Sequence, residues 1–426
     1  MTEKSTLILT RLLLITSAVI FGYFLIITIA NGYWIWGENL DFTATGQFGD
    51  FIGGFLGTVI NAAAFYFLYL TLNEQRKSGQ QQSFETKIYD IIRLHRENVK
   101  ELEYTKFARG KMQTSKSRKV FRVIVQEFMD CYHEVHRFCK MYPDTTILKS
   151  EYELILKNII EENKLRVSTR ELALLDIAFC FFYFGVGKES ETILLHKFFN
   201  RYNKNFAHPL KIFIQLKPKQ ELGNMYRYWE NFKCLEVAKM KDEFEKIYRD
   251  SLKSEESLYN VEKHYLFENL KAEKYYGGHQ HRLGHYFRHL FQAFKFLSRQ
   301  DFLDYDEKYF YAKSIRSQFS TYEQFILFFN SLSSLGMKWE YTSDINNEPS
   351  NIEPNDYKFI TRYNLIKNLP GSQYYNFTYR KFYPKVRYEY LDDLTYTNKI
   401  SNDPRSTKSS TEKLRKRLRL CVFLVS

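Results

Sequence analysis

Two apolar runs near the start of the chain dominate its hydropathy pattern. Residues 51–72 carry no charged side chain. At about 1.5 Å per residue they reach roughly 33 Å, enough to cross a hydrocarbon core of about 30 Å. Asp50, just before them, reads as an N-cap favoured by the positive end of the helix dipole. Upstream, Leu12 to Ala30 is also uncharged. The pair predicts a transmembrane hairpin over residues 1–75, with helices at about 10–30 and 50–73. A cleavable signal peptide is the rival reading of the first run. That run is long for a signal core, and Ala30-Asn31-Gly32-Tyr33 makes a poor cleavage site.

The flanking charges orient the hairpin. Lys4 and Arg11 precede the first run and Arg76 and Lys77 follow the second, while the connection holds Glu38, Asp41 and Asp50 and no cation. The positive-inside rule then puts both termini in the cytoplasm and the acidic loop outside. Trp34 and Trp36 fall where an interfacial aromatic belt belongs. In the second helix Gly53, Gly57, Asn61 and Ala64 recur at helical spacing, and Gly53 with Gly57 forms a small-xxx-small pair. Asn61, polar at mid-depth, needs a partner. Thr16 or Ser17 of the first helix supplies one, or the same face of a second copy does, which makes a homo-oligomer through the hairpin an expectation.

After the membrane, Glu74 to Ser83 reads as a polar exit with a bend at Ser78-Gly79. From Phe84 the 3.6 period returns through Ile88, Ile91, His95, Val99 and Leu102. Residues 109–118 read as a basic, polar break. Val120, Phe121, Ile124, Val125, Phe128, Val135 and Phe138 mark another helix. Ser168-Thr169-Arg170-Glu171 is a capping box opening a strongly apolar helix, which is too short to span and contains Asp176, hence a core helix. Breaks are expected near Pro209 and Pro218 and at Gly277-Gly278. Leu283, Phe287, Leu290, Phe291 and Phe294 then form a buried stripe, with His281, Arg282, His285, Arg288, His289 and Gln292 opposite. Ile315, Phe319, Tyr322, Ile326 and Phe329 form a second stripe whose polar face offers Arg316, Ser320 and Glu323. Residues 340–357 read as loop, and 370–393, rich in tyrosine, as a short β-hairpin. The fold class is therefore mainly α: the hairpin, a large helical domain over 76–398 with a less recognisable insert at about 110–270, and a basic amphipathic tail over 399–426. That tail alternates Lys413, Arg415, Lys416, Arg417 and Arg419 with leucines and suits a membrane surface.

Charge sharpens the picture. Residues 1–75 have a net charge of −3 within a chain of +13, so the remainder carries +16. Such a body is drawn to anionic lipid head groups, and equally to nucleic acid. The five cysteines form no CxxC pair and read as reduced structural thiols.

Five segments in order resemble the putative phage abortive infection proteins of bacteria, of the AbiC type. They are FGDFIGGFLGTVINAAAFYFLYLTL, KIYDIIRLHRENV, GHYFRHLFQAFKFL, YAKSIRSQFSTYEQFILFFNSL and FITRYNLIKNLP, about a fifth of the chain. The resemblance implies an antiviral protein of the bacterial inner membrane that halts phage growth through an undetermined phage or host partner. It brings no established active site. The matching positions are Gly284, His285, Tyr286, Arg288, His289, Arg316, Gln318 and Glu323.

The candidate chemistry lies on the polar face from His281 to Gln292. His281, His285 and His289 are spaced i, i+4 and i+8, but no carboxylate motif accompanies them, so neither metal nor cofactor is expected. Arg282 followed by His289 has the spacing of the HEPN-type ribonucleases, although Leu283 stands where those have a polar residue, and Arg201 to His208 repeats the spacing. The catalytic candidates are Arg282, His285, Arg288, His289, Arg316 and Glu323. Cys131, His133, His136 and Cys139 do not converge on one helix. Gly185-Val186-Gly187-Lys188 lacks the gap of a phosphate-binding loop. Asn376-Phe377-Thr378 is a glycosylation triplet in the wrong compartment. The leading expectation is a membrane effector or sensor of infection, and the alternative is a tethered ribonuclease.

Overall fold

The computed structural model describes residues 3–30, 42–108, 111–221, 223–252, 266, 270, 273–341, 358–371 and 377–391. The tail 399–426, with Cys421, and the connection 31–41, with Trp34 and Trp36, lie outside the described residues, as do 342–357 and Asn376. The described chain is mainly helical, with one two-stranded sheet. It divides into two compact units, Met1–Tyr89 and Asp90–Ser426.

In the first unit, α1 (Glu3–Ala30) is followed by α2 (Phe42–Phe51), a π-helical turn (Ile52–Leu56) and α3 (Gly57–Glu101), whose last part belongs to the second unit. Asp50 is therefore not an N-cap. The helix begins eight residues earlier, and Asp50 lies in the last turn of α2, just before the π-helical turn that holds Gly53 and Gly54. Phe24 of α1 stacks on Phe51 at 4.6 Å, and Phe51 on Phe55 at 5.6 Å. The bend at Ser78-Gly79 is also absent. Gln, Glu, Arg and Lys around it are good helix formers, and one glycine costs only about 1 kcal/mol. Gln81 donates to Glu85 one turn on, at 3.1 Å. The helical run Gly49–Glu101 is long and apolar enough to cross a membrane, and none of its most apolar window is buried.

The second unit opens with Ile91, His95 and Val99 of α3 buried as the period predicts. It then departs from the sequence reading. Two antiparallel strands pair here, β1 (Glu103–Ala108) with β2 (Lys111–Lys116), in the register Glu103 to Lys116. The expected polar break is thus half of a sheet. Both faces mix polar side chains with a few apolar ones such as Phe107 and Met112, so no apolar alternation announces it, and the Thr105–Thr114 hydroxyl contact at 2.9 Å is a cross-strand pair. The β-hairpin expected at 370–393 is not found among the described residues there. Phe377, Tyr379, Phe382, Tyr383, Val386 and Tyr388 are buried at irregular spacing rather than alternately. The rings of Phe377, Tyr379, Phe382 and Tyr383 gather around Phe328, with Tyr379 at 5.3 Å and Phe382 at 5.6 Å.

Around this lie α4 (Lys119–Cys139), α5 (Asp144–Ile147), α6 (Ser150–Asn163), α7 (Thr169–Phe184), α8 (Lys188–Phe199), α9 (Lys204–Gln215), α10 (Asn224–Cys234) and α11 (Val237–Ser251). Next come α12 (Gln280–Ser298), α13 (Tyr305–Arg316), α14 (Thr321–Leu332), α15 (Phe359–Arg362) and α16 (Tyr379–Phe382). The core is α7 against α4 and α14. Phe128 lies 4.2 Å from Phe329 and edge-on to Phe182 at 5.6 Å. The Ser168–Glu171 capping box is present in both halves. Pro209 does not break α9 but sits inside it, so the helix tolerates the missing donor there. Cys131, Cys139 and Cys180 are free and buried, and burial pushes each thiol up.

The second apolar stripe is also two helices rather than one. Asp304 with Glu307, and Ser320 with Glu323, form capping boxes that start α13 and α14 separately. The turn after α14 (Met337–Trp339) ends at buried Glu340. Its carboxylate accepts from the Thr361 backbone N–H at 3.0 Å and from the Thr361 hydroxyl. Burial still dominates and raises Glu340 to about 7. A carboxyl raised in the folded state contributes stability below its ordinary value near 4.5, which is lost as pH rises through about 7. Glu340→Gln is therefore expected to gain on wild type between pH 4.5 and 8, by on the order of 3 kcal/mol. Denaturant unfolding of both proteins across that range checks it, and parallel curves would refute it.

Candidate functional site

The start of α12 is fixed by a close approach of two backbones. Gly185 ends α7 at φ +79° and Gly278 precedes α12 at φ +84°. A Cβ on Gly278 would stand 2.4 Å from the Phe184 carbonyl oxygen, and one on Gly185 2.6 Å from the Gly277 carbonyl carbon. Glycine is needed at both on these two grounds. This gives Gly185 a packing role, where a phosphate-loop reading failed. Two bonds tie the segments: Val186 N donates to Tyr276 O at 3.0 Å, and His279 N to Tyr183 O at 2.8 Å.

His279 is thereby held inside the core, 1% exposed. Its Nε2 faces Glu127 Oε1 of α4 at 3.1 Å, and the Tyr104 hydroxyl of β1 donates to Glu127 Oε2 at 2.6 Å. Burial pushes the Glu127 carboxyl up, but His279 and Tyr104 outweigh it and the net direction is down. Ionised Glu127 is an acceptor, so the His279 nitrogen donates. Arg282 lies over the Tyr104 ring at 4.5 Å and donates from Nε to Glu103 O at 3.1 Å. Seven residues along α4, Glu134 takes the Lys217 ammonium at 2.7 Å and the Tyr276 hydroxyl at 2.7 Å. Glu127, His279, Glu134, Lys217 and Tyr276 are all buried, and their polar groups are paired with one another or with Tyr104.

The candidates from the sequence are dispersed. His285 is exposed. His289 is half-buried and donates from Nε2 to the Ile91 carbonyl at 3.1 Å. Burial is the first cause lowering its pKa. Arg316 is 7% exposed and donates from Nη1 to the Tyr363 and Asn364 carbonyls, both at 3.0 Å. Gln318 accepts from Arg96 Nε at 2.9 Å. Glu323 is fully buried and takes the Tyr286 hydroxyl at 3.2 Å, with His95 Nε2 at 3.2 Å. Arg282 and His289 are thus held by separate carbonyls, and Arg316 and Glu323 are parts of the core. In the first unit Gly53, Asn61 and Ala64 are exposed and Gly57 is half-buried.

Arg288 differs from these. With Lys338, Tyr183, Gln292 and Asn330 it lines a cleft of about 240 Å³ between α12 and the turn after α14. Phe291 forms part of its wall, with the Lys338 ammonium 4.8 Å from the ring centre. Gly284 keeps it open, since a Cβ there would meet the Tyr183 hydroxyl at 3.1 Å. Burial raises the Tyr183 phenol, which therefore remains a donor. Among the described residues no carboxylate and no imidazole lines the cleft. It offers donors for binding an anion, not a base for catalysis.

Sequence reasoning missed His279, Glu127, Tyr104 and Lys338. Only His279 left a signal, since it follows a Gly-Gly that a close approach explains. The other three depend on residues far along the chain. No curated protein and no solved structure matches this chain. Every residue lining the cleft except Tyr183 falls within 278–343. Those residues, 278–343, match the family model described as putative phage abortive infection protein, the family that the sequence resembles.

Proposed function

We propose that this protein is a membrane-anchored bacterial anti-phage protein that acts by abortive infection, with its helical body on the cytoplasmic face. One observation carries the membrane part. None of the most apolar window after Gly49 is buried, and Phe65 is 73%, Tyr69 65% and Leu72 52% exposed. A soluble core helix of this composition would be covered, whereas lipid covers such a surface at no hydrophobic cost. The defence part rests on the family match over 278–343. α1 adds a second exposed apolar surface, with Ile15 64% and Val19 65% exposed. Both helices together make the hairpin, and the charges flanking them put both termini inside.

The exposed Gly53, Asn61 and Ala64 are where a second copy would pack, and the effector step is a rearrangement of hairpins in the bilayer on infection. Ribonuclease chemistry gains no support, because Arg282 and His289 are each occupied by a backbone carbonyl. The test combines location with protection. Full-length protein should stay with membranes through alkaline carbonate extraction. Gly57→Leu and Asn61→Leu should express and insert normally yet abolish protection against phage. Recovery of wild type in the soluble pool sinks the anchor, and full protection by both variants sinks the effector step.

A further inference from the structure

We infer that the cleft between α12 and the turn after α14 binds the phosphate of a small soluble phosphomonoester, of about the size of a nucleoside monophosphate. Its charge is the first argument. Arg288 and Lys338 both line it, and among the described residues no acidic one does. Among the described residues neither cation is paired with a carboxylate, so these residues give the cleft a net positive lining. A phosphomonoester carries close to two negative charges at neutral pH, which two adjacent cations match.

Geometry is the second argument. Arg288 Nε is anchored on the Gly284 carbonyl at 3.1 Å, which fixes the guanidinium and leaves its two terminal nitrogens for a ligand. Such a planar fork suits two phosphate oxygens, and a lysine ammonium acts beside it as a point charge. Gln292, Asn330 and the Tyr183 hydroxyl supply neutral donors and acceptors around the cations. These read hydroxyls or a base edge rather than phosphate. Size is the third argument. A volume of 240 Å³ holds roughly eight waters. That exceeds a bare phosphate and is too small to enclose a lipid with its chains. Absence of a side chain at Gly284 maintains this volume, because any Cβ crowds Tyr183.

The experiment uses full-length protein in detergent, with isothermal titration of AMP, of glycerol phosphate and of inorganic phosphate, and flotation with vesicles containing phosphatidate. AMP or glycerol phosphate should bind in the micromolar range and inorganic phosphate more weakly. Arg288→Gln and Lys338→Met should each weaken binding at least tenfold, and Gly284→Leu should abolish it. Arg288→Gln and Lys338→Met, both at exposed positions, should unfold at the wild-type temperature without ligand, which separates lost binding from lost fold. Flotation that is equal for wild type and Arg288→Gln, with AMP binding retained by wild type, assigns the phosphate to a soluble molecule. Flotation lost in Arg288→Gln, with no binding of AMP or glycerol phosphate, overturns the soluble ligand in favour of a lipid head group. If nothing phosphorylated binds, or Arg288→Gln binds as wild type does, the inference fails.

Discussion

Asp176→Ala is expected to lower the unfolding free energy by on the order of 3–5 kcal/mol, the range for removing one partner of a buried ion pair. Asp176 lies in the middle of α7 and is fully buried. Its Oδ2 takes the Arg201 guanidinium at 3.0 Å and the hydroxyls of Tyr202 at 2.6 Å and Tyr152 at 3.2 Å. Its Oδ1 takes the backbone N–H of Ser334 at 2.7 Å. Burial opposes the charge, but Arg201 and the hydrogen bonds from Tyr202 and Ser334 prevail, so its pKa is lowered. Alanine leaves Arg201, itself 8% exposed, as a buried charge without its counterion, and strands three neutral donors as well. Asp176→Asn keeps the shape and some acceptors and should cost less. Since the folded pKa is depressed, the contribution is present at neutral pH and disappears as pH falls through that lowered value. The wild-type advantage over Asp176→Ala should shrink accordingly in acid. Denaturant unfolding followed by fluorescence of Trp229 and Trp339 reads all of this. A loss under 1 kcal/mol for the alanine variant would contradict the account.

Asp176 also shows what the sequence can and cannot disclose. A single aspartate in a run of sixteen helical residues with almost no other charge says that the helix is core rather than membrane. It does not say that Arg201, twenty-five residues on, completes it. The legible features are local. The Ser168 capping box, the stripe through Ile91, His95 and Val99, and the two faces of α12 follow from spacings of three and four residues. What stayed hidden depends on distant partners or on the lack of an apolar signature. Glu127 and His279 are 152 residues apart, and each alone reads as a solvated polar residue. The pair of β1 and β2 mixes polar and a few apolar side chains on both faces, so its period of two is invisible to hydropathy. The stripe from Ile315 to Phe329 continued across a helix break because apolar residues happen to keep phase. There the local rule was available, in Ser320 followed three residues later by Glu323. Arg288 was found as a candidate by resemblance, yet its companion Lys338 arrives only through the turn after α14. The candidate site is thus half legible: one wall lies in the α12 pattern and the other in the folded chain.

Glu323→Ala is expected to cost on the order of 3–4 kcal/mol, because this one carboxylate performs two tasks. At the first turn of α14 it accepts from the Ser320 backbone N–H at 2.7 Å, while the Ser320 hydroxyl caps the Glu323 N–H at 3.3 Å. Across the core its other oxygen takes the Tyr286 hydroxyl of α12 and lies against His95 of α3, while Arg118 stands 4.0 Å from the capping oxygen. Burial raises the carboxyl, yet His95 and Ser320 hold it below its ordinary value. The charge therefore adds stability at neutral pH that is lost in acid. Removing it strands His95 and Tyr286, which are 1% and 3% exposed, and frays the start of α14. Glu323→Gln preserves an acceptor for the cap and should lose only part of this. The comparison separates stability from chemistry at a position the family resemblance marks. If Glu323 acts by holding α12 and α14 together, protection against phage should fall in proportion to lost stability. A second-site change that restores the melting temperature of Glu323→Gln should then restore protection. A Glu323→Gln protein that melts as wild type does but gives no protection would instead place this carboxylate in the reaction itself.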